Sequence, residues 1–490
     1  MTDIVKLRQR VGLSLAMFAV LFSASICSGF DRGAAVTPIE LTDIPGFKPF
    51  TLADLPNLDD ETEGKVTKNG LVNLNGLVST INYETFKKRQ PEAKEDLIEL
   101  APQETGFARP ISVRLFTQPA SAPLAVILLG FGQQSNDRLA RAWQTYLYNS
   151  GCHVLCFDSL IRNNMNEATG HGVAGNFLEE SKITGTLVDA TLAHSRKDGA
   201  LKDRVTSVRF LGTSYGGMLA LQCLRLPQAK SWPCDRCLAL SMPLNMGTAS
   251  KRLDTFARED KAMFGKLSLM KLLGGFTPKN ETPTPQEESL MRAGLGYVFH
   301  GDLHDLAKSN IKRYDPDLPS RLEAWQKRPD QQQMEEDMMK TLEERQESEL
   351  KALEQEYAGK DKKEYEHARD ELKARHKIQR NVSKREAADI SQWNFQDYVF
   401  LLLKPYWKLK RGTSTPVTMT DLISGAPNFV QAFVAADDPL NDPAELAEFQ
   451  QKIPSPQLVV MPHGGHLGYT GTRWAETLVE KFFAASSSNK

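Results

Sequence analysis

Residues 208–224 read VRFLGTSYGGMLALQCL and place the pattern G-x-S-x-G between two apolar runs. The run before Gly212 is typical of a buried strand, and the run that begins at Met218 is typical of a helix. A serine on such a sharp strand-to-helix turn needs small neighbours, because the strained backbone leaves no room for larger side chains at Gly212 and Gly216. The stretch therefore predicts that Ser214 is a nucleophile, in preference to a structural glycine–serine turn.

Other apolar runs of strand length occur along the chain, separated by segments with helical patterns. The run 111–116 alternates like a half-exposed strand, and continuous apolar runs lie at 124–129, 153–157, 237–241, 429–434 and 457–461. Continuous runs suit central strands that are covered on both faces. Strands that alternate with helices indicate an α/β protein with a doubly wound, mainly parallel sheet, in which reactive groups gather at the carboxyl ends of the strands.

The last two of these runs end in residues that could activate a serine. Serine is a poor nucleophile at neutral pH, so a base must take its proton and an acid must hold that base in one tautomer. Asp437 and Asp438 follow the first run, and His463 and His466 follow the second. We predict His466 as the base and Asp438 as the acid. For His463 we expect a hydrogen-bonded surface role, and for Asp437 a bond to the loop backbone.

The chain order Ser, Asp, His is that of α/β-hydrolases and differs from the order in other serine-hydrolase folds. A tetrahedral intermediate also needs two backbone N–H donors, one from the residue after the nucleophile and one from a loop after an earlier strand. Gly130-Phe131-Gly132-Gln133 is such a loop. We predict the N–H groups of Phe131 and Tyr215 as the two donors, with Gly132 as the alternative to Phe131.

Four segments together resemble the α/β-hydrolase superfamily, namely 129–132, 212–217, 436–439 and 464–468. The doubled aspartate before Pro439 and the Gly-Gly-His-x-Gly ending are similar to a branch of membrane-associated esterases and acylglycerol or phospholipid hydrolases. Leu129 stands where a histidine often precedes the oxyanion glycine. The resemblance covers residues 111–246 and 428–483 as core, and it implies a serine hydrolase that requires no metal or organic cofactor.

The predicted organisation of the 490 residues surrounds this core with additional segments. Residues 106–246 and 428–490 form the two parts of the hydrolase core, and residues 247–427 form a helical cap inserted between them. Residues 30–105 form an N-terminal extension to which no chemistry can be assigned. Within the extension, a charged stretch around 87–98 is predicted as helical.

The middle of the insertion, residues 331–385, is dominated by charged side chains. Its sparse apolar residues have helical spacing, and Gly359-Lys360-Asp361 marks a reversal. The pattern predicts an antiparallel helical hairpin, and we prefer a solvated charged arm to a dimerising coiled coil because the apolar seam is broken. A protein partner for the arm is left open. The superfamily places its lid at this position, which implies that the insertion sets substrate choice.

The N-terminus has the order of a secretory signal, with basic residues up to Arg10, an apolar run over 11–26 and then small residues. We predict that residues 1–29 are a signal peptide or, alternatively, an N-terminal anchor. Cleavage is preferred because the run is short for a spanning helix. Lipidation of Cys27 is a less favoured alternative. The protein is therefore expected to be exported to the periplasm or cell envelope, with membrane association through its N-terminus left open.

Charge and cysteine content exclude several other classes of protein. The 60 Lys and Arg residues nearly balance the 61 Asp and Glu residues, so there is no global electrostatic case for nucleic acid. Six cysteines are too few for a disulfide scaffold in a chain of this size. Cys234 and Cys237 have the spacing of a metal half-site, but a local disulfide or two free thiols are favoured because no second pair matches. Core packing suffices for Cys152, Cys156 and Cys223.

These observations predict an exported carboxylesterase or lipase-like enzyme that cleaves lipid-like or small acyl esters through an acyl-enzyme intermediate. The same triad could instead cleave peptides or other amides, since the triad does not determine the leaving group. A third reading is an inactive hydrolase-fold scaffold that binds a partner through its helical arm. The intact set of Ser214, Asp438 and His466 argues against that reading.

Overall fold

The computed structural model describes residues 39, 41–56, 95–170, 173–196, 199–226, 232–258, 285–314, 331–382, 390, 393–403, 406, 418–423, 425–453 and 456–484. The predicted signal peptide over residues 1–29, including Cys27, lies outside these ranges. Among the residues that are described, no helix is both long enough and apolar enough to cross a membrane.

Within these ranges the centre of the molecule is an eight-stranded sheet. Its strands are β1 (Glu95–Leu100), β2 (Ile111–Phe116), β3 (Ala122–Leu128), β4 (His153–Cys156), β5 (Val205–Thr213), β6 (Cys234–Leu240), β7 (Val430–Ala435) and β8 (Leu458–Met461). They lie side by side in the order β1-β2-β4-β3-β5-β6-β7-β8. β2 runs antiparallel to both of its neighbours, and the other neighbouring pairs are parallel. The predicted α/β class with a mainly parallel sheet is confirmed.

β3 shows why the sheet is covered on both faces. The whole strand is buried. Leu124, Val126 and Leu128 belong to one hydrophobic cluster, whereas Ala125 and Ile127 belong to a second cluster on the opposite face. Because side chains alternate across a strand, a continuous apolar run is stable only where helices cover both faces of the sheet.

The described helices either flank the sheet or build the insertion. The helices that precede the insertion are α1 (Pro102–Thr105), α2 (Arg138–Asn149), α3 (Asn163–Thr169), α4 (Phe177–Ala193) and α5 (Tyr215–Cys223). The insertion contributes α6 (Met246–Arg258), α7 (Pro285–Tyr314), α8 (Gln331–Glu356), α9 (Lys362–Val382), α10 (Phe395–Tyr398), a π-helical turn (Val399–Leu403) and α11 (Met419–Ile423). The last two are α12 (Pro443–Lys452) and α13 (Arg473–Phe483). Short 3-10 turns at Leu52–Asp54 and Leu201–Arg204 and a small hairpin of Ser195–Arg196 with Gly199–Ala200 complete the set.

The first strand corrects two predictions. The sequence places residues 95–100 in the N-terminal extension, with a helical pattern up to residue 98, but they form β1 and pair with β2. Ile98 is buried whereas Leu97 is 62% exposed, which is the alternation of an edge strand with one wet face. Glu95 forms an ion pair with Arg114 of β2, so this acidic residue belongs to the sheet edge and not to a helix. The core therefore begins before the predicted boundary.

Residues 41–56 of the predicted extension cross the other half of the sheet. The backbone N–H of Phe50 donates to the side-chain oxygen of Gln431 at 2.9 Å, and the side-chain amide of Gln431 donates back to the carbonyl of Phe50 at 2.8 Å. Phe47 packs edge-on against Phe482 of α13, with 6.0 Å between ring centres. This part of the extension therefore belongs to the folded core.

The insertion contains the antiparallel helical hairpin that the sequence predicts. α8 and α9 reverse around Gly359, which has a φ of 85°. Near the base of the hairpin, the side-chain amide of Gln346 donates to the carbonyl of His376 at 3.1 Å. Near the turn, the rings of Tyr357 and Tyr365 lie 6.1 Å apart. The outer half of the hairpin is largely exposed, which fits a solvated arm.

The two ends of the insertion meet beside the sheet. Asn245 forms an isolated antiparallel bridge with Thr418, and the N–H of Met419 donates to the carbonyl of Leu244 at 2.9 Å. β6, which precedes the insertion, and β7, which follows it, are parallel neighbours. The insertion therefore leaves and rejoins the sheet at one place, near the carboxyl end of β6.

The cysteines in the described part of the chain are free thiols, namely Cys152, Cys156, Cys223, Cys234 and Cys237. Of the two alternatives left open for Cys234 and Cys237, the structure shows free thiols. Burial raises the pKa of the Cys156 and Cys234 thiols to about 12, which makes them unreactive at neutral pH. The described ranges contain no group of three or more side chains that could hold a metal ion.

Candidate active site

Ser214 lies in a strained turn between β5 and α5. Its φ and ψ are 52° and −124°, a conformation that a residue other than glycine keeps only where its surroundings fix it. The N–H of Ser214 donates to the carbonyl of Leu240 at 2.8 Å. A Cβ on Gly212 would lie 2.3 Å from the carbonyl oxygen of Gly216, and one on Gly216 would lie 2.0 Å from that of Leu128. Both glycines are therefore required by close backbone contacts.

The structure brings the predicted nucleophile, base and acid into one hydrogen-bonded chain. The Nε2 atom of His466 lies 2.7 Å from the Oγ of Ser214, and the Nδ1 atom of His466 lies 2.8 Å from the Oδ2 of Asp438. Both distances fit hydrogen bonds. Ser214, His466 and Asp438 are 6%, 5% and 3% exposed. With its proton on Nδ1, His466 donates to Asp438 and can accept from the hydroxyl of Ser214.

The two adjacent aspartates have separate partners. Besides contacting the imidazole, Asp438 accepts a hydrogen bond from the N–H of Leu440 at 2.9 Å through its other oxygen. Asp437 accepts from the N–H of Gly465 at 2.9 Å, which is the loop-backbone bond expected for it. Burial raises the pKa of Asp437 above its ordinary value. Of the two acids, the structure places only Asp438 within hydrogen-bond distance of His466 among the described contacts.

Two residues that sequence reasoning missed hold the loop that carries His466. Ser241, directly after β6, has a φ of 46°; its Oγ accepts from the N–H of Leu467 at 3.2 Å and lies 3.0 Å from the Oη of Tyr469. These contacts involve the residue after the histidine, so they fix the direction of the imidazole. No local motif marks Ser241, because its role depends on a strand that is distant in sequence.

His463 is only 8% exposed, so the surface position expected for it is wrong.

The loop after β3 lies against Ser214. A Cβ on Gly130 would lie 3.0 Å from the Cβ of Ser214. The N–H of Gly130 donates to the side-chain oxygen of Gln133 at 2.8 Å, which closes the loop. Gly132 has a φ of 70°, and the side chain of Arg162 donates to its carbonyl at 2.7 Å. Phe131 and Gly132 are thus in a fixed turn beside Ser214, although their N–H groups as oxyanion donors stay a prediction.

The insertion reaches this loop directly. The ring of Phe131 lies 5.8 Å from that of Phe299 on α7 and 5.6 Å from that of Phe395 on α10. A Cβ on Gly132 would lie 1.9 Å from a carboxylate oxygen of Asp302, also on α7. Since Ser214 is almost fully buried, these contacts show that the insertion covers the loop after β3 beside Ser214.

Asp254 joins three elements of the insertion. This α6 residue is 3% exposed, and its carboxylate accepts hydrogen bonds from the N–H groups of Phe395 at 2.8 Å and Gln396 at 3.2 Å. The Nε2 of His300 on α7 lies 3.0 Å from the same carboxylate. The N-terminus of α10, which carries the aromatic contact to Phe131, is therefore held by a buried carboxylate.

The fold and the site define a class of protein. A mainly parallel sheet, a serine on a strand-to-helix turn, and an acid and a histidine after later strands are the features of an α/β-hydrolase fold.

Comparison with solved structures gives neighbours of low similarity. One is a dienelactone hydrolase from Anabaena variabilis, at 16% identity over 32% of this chain and 68% of that one, with a TM-score of 0.24. Another is Est1E from Butyrivibrio proteoclasticus, solved with ferulic acid, at 18% identity over 32% of this chain and 56% of that one, with a TM-score of 0.23. A third is a 2-hydroxy-6-oxo-6-phenylhexa-2,4-dienoate hydrolase from Rhodococcus, at 12% identity over 80% of this chain and 100% of that one, with a TM-score of 0.36.

No protein-family model and no curated protein matches the sequence. Most of these structural neighbours are hydrolases or esterases by name. The fold class therefore rests on the sheet and on the turn at Ser214.

Proposed function

We propose that the protein is a serine hydrolase that cleaves carboxylic esters through an acyl-enzyme intermediate. One observation carries this proposal: the Oγ of Ser214, on a strained turn, lies 2.7 Å from the Nε2 of His466, whose Nδ1 lies 2.8 Å from Asp438. Isolated Ser–His contacts occur in proteins for structural reasons. A buried acid on the far nitrogen, which fixes the tautomer so that Nε2 is free to accept a proton, supports catalysis.

In the proposed reaction the Oγ of Ser214 attacks the ester carbonyl while His466 takes its proton. Asp438 stays ionised and stabilises the imidazolium that forms. The N–H groups of Phe131 and Tyr215 stabilise the negative charge on the carbonyl oxygen. His466 then protonates the leaving alcohol, which departs and leaves an acyl group on Ser214. A water molecule activated by His466 attacks this acyl-enzyme and releases the carboxylic acid.

The cap is proposed to select the substrate. Phe299 and Phe395 pack on the side chain of Phe131, so an acyl or alcohol group beside the oxyanion loop meets an apolar aromatic wall. This favours lipid-like or small apolar acyl esters over charged ones. An amide substrate is the second candidate, since the same three residues serve both reactions. Parallel assays with an ester and an amide of the same acyl group distinguish the two.

We also propose export to the periplasm or cell envelope, on the basis of the basic and apolar composition of residues 1–29. The segment is either cleaved as a signal peptide or kept as an anchor at the membrane. Mass spectrometry of the N-terminus of the protein recovered from a fractionated cell would locate the cleavage site. A full-length N-terminus in a soluble cytoplasmic fraction would contradict export.

The exposed arm of α8 and α9 is the proposed binding site for any protein partner.

The proposed activity is tested by labelling the purified protein with a fluorophosphonate, which reacts with activated serines. We expect one labelled peptide that contains Ser214, and no label in Ser214→Ala. Ser159→Ala is the matched control, because Ser159 is another buried serine (3% exposed) whose hydroxyl has no hydrogen-bond partner among the described residues. Folded protein that is not labelled at Ser214 would exclude the proposed activity.

A further inference from the structure

A buried carboxylate next to the nucleophile turn has no part in the proton transfers above. Glu180 on α4 is 4% exposed. Its Oε2 accepts a hydrogen bond from the Oη of Tyr215 at 2.6 Å, and its Oε1 accepts from the backbone N–H of Gly175 at 2.7 Å. Burial raises the pKa of Glu180 to about 7 in spite of these two donors. A carboxylate is costly at such a depth, so the contact with Tyr215 calls for an explanation.

Tyr215 follows Ser214 directly and is held at both ends of its side chain. Its ring is 5% exposed and stacks on the ring of Phe177, with 4.6 Å between centres and 25° between planes. Its hydroxyl is held by Glu180. Because strained backbone persists only where the surroundings over-determine it, fixing the side chain of Tyr215 also fixes the peptide that joins it to Ser214. That peptide carries the proposed oxyanion donor.

We propose that Glu180 is a positioning residue which, through the hydroxyl of Tyr215, holds the backbone N–H of Tyr215 in the direction that the oxyanion requires. This inference rests on the proposed hydrolase function and deepens it. Glu180 itself touches no reacting atom. Its effect is on how well the oxyanion donor is oriented before the reaction begins.

The second oxygen of Glu180 connects this anchor to the cap. The loop that contains Gly175 supports the π-helical turn of the insertion, because a Cβ on Gly175 would lie 3.0 Å from a methyl group of Leu403. The Oη of Tyr398 donates to the carbonyl of Ala174 in the same loop at 2.8 Å. Glu180 therefore bonds both to the nucleophile turn and to the loop on which the cap rests. The oxyanion donor is best held when the cap is in place.

The inference is tested by the rate of covalent labelling of Ser214 with a fluorophosphonate in Tyr215→Phe. This variant keeps the ring stack and the backbone N–H but removes the hydrogen bond to Glu180. We expect labelling to slow by about tenfold, which corresponds to the loss of one well-placed interaction in the transition state. With a soluble ester, kcat should fall by a similar factor while KM changes by less than about twofold, because the oxyanion forms only in the transition state.

Tyr406→Phe is the matched control. The Oη of Tyr406 lies 2.8 and 3.0 Å from the two oxygens of Glu179, the neighbour of Glu180 on α4. The substitution therefore removes an equivalent Tyr–Glu hydrogen bond on the same helix. We expect its thermal stability to fall as in Tyr215→Phe, with an unchanged labelling rate.

Two substitutions of Glu180 provide a test that remains informative if Tyr215→Phe does not fold. In Glu180→Gln the amide oxygen can still accept from Gly175 and the amide nitrogen can donate to the Oη of Tyr215, so the labelling rate should stay within about threefold of the wild type. Glu180→Ala removes both bonds and should be slowed about tenfold.

The outcomes separate the inference from the proposed function. Slow labelling of Tyr215→Phe and Glu180→Ala, with a normal rate in Glu180→Gln, supports the inference. Wild-type rates in folded Tyr215→Phe and Glu180→Ala would overturn it and leave the proposed function intact. A wild-type protein that is folded but never labelled would overturn both.

Discussion

Asp437 and Asp438 are neighbours in the sequence, yet they bond to different parts of the site. Asp438 contacts the imidazole of His466, whereas Asp437 accepts from the N–H of Gly465. The sequence alone could rank the two only by the expectation that one of them bonds the loop. The two aspartates differ in burial and in hydrogen-bond partners. Both properties depend on how the loop after β7 meets the loop after β8.

This difference predicts opposite results for two identical substitutions. Asp438→Asn should lower kcat by about 10³-fold or more, because the amide no longer fixes the imidazole tautomer that can accept a proton from Ser214. Asp437→Asn should stay within about fivefold of the wild type, since an amide oxygen can still accept from Gly465. Steady-state kinetics of both variants on one ester measure this. Equal losses would show that the acid has been misassigned.

Glycines at two positions predict two different stability losses. Gly216→Ala puts a methyl group 2.0 Å from the carbonyl oxygen of Leu128, so β3 and the nucleophile turn cannot both keep their positions, and we expect insoluble or unfolded protein. Gly359→Ala meets nothing within 4 Å, and its φ of 85° alone is unfavourable, which should cost about 1–2 kcal/mol. Thermal unfolding of both variants compares them. A stable, active Gly216→Ala would contradict the structure of the turn.

At the scale of elements, the base of the charged hairpin belongs to the hydrophobic core, whereas its outer half is exposed. α8 and α9 pair through residues near their bases, such as Gln346 and Arg375, which contact the opposite helix. The segment beyond them is largely exposed. A helical pair of this kind gains little stability from its surface ion pairs.

Shortening the arm should therefore leave the active site unchanged. Replacing residues 352–370 by a short glycine-rich turn removes mainly exposed positions and keeps the base of the hairpin. We expect kcat and KM on a small soluble ester to change by less than about twofold, because buried apolar contacts and not exposed charges maintain the cap. The labelling rate of Ser214 gives a second measurement. A large loss of both would show that the arm supports the site.

Sequence reasoning predicted the elements with strong local signals and missed those that depend on distant partners. The strand before Ser214, the turn at Gly359 and the residues after β7 and β8 all have local patterns. β1 does not, because its acidic residues at an edge strand look like a solvated helix until Glu95 is paired with Arg114. Glu180 was missed for the same reason, since only the packing of α4 on α5 brings it to Tyr215.

At the scale of the whole molecule, a buried acid couples stability to pH. The ordinary pKa of Glu180 is 4.5 and its pKa in the folded protein is about 7. Between these values the folded state binds more protons than the unfolded chain, so the free energy of unfolding falls as pH rises from about 4.5 to about 7. The shift corresponds to roughly 3 kcal/mol. Tyr215 and Glu179 are the ionisable neighbours that act on it.

Glu180→Gln should remove the decrease in the free energy of unfolding that Glu180 causes as the pH rises. We expect the variant to gain stability relative to the wild type between pH 5 and pH 8, measured by denaturant unfolding at both pH values. Glu99→Gln, at an exposed position on β1, controls for the removal of a charge as such. If the wild type and Glu180→Gln differ in free energy of unfolding by the same amount at both pH values, Glu180 does not titrate in this range.

The bridge between Asn245 and Thr418 makes the insertion a loop that is closed at its base. Because both of its ends are fastened at the same point beside β6, the length of polypeptide between them has no bearing on the pairing of β6 with β7. The outer part of this segment can therefore be lengthened or shortened while Ser214, His466 and Asp438 keep their spacing. A protein engineer can therefore change one continuous segment of the chain without altering the order of the strands.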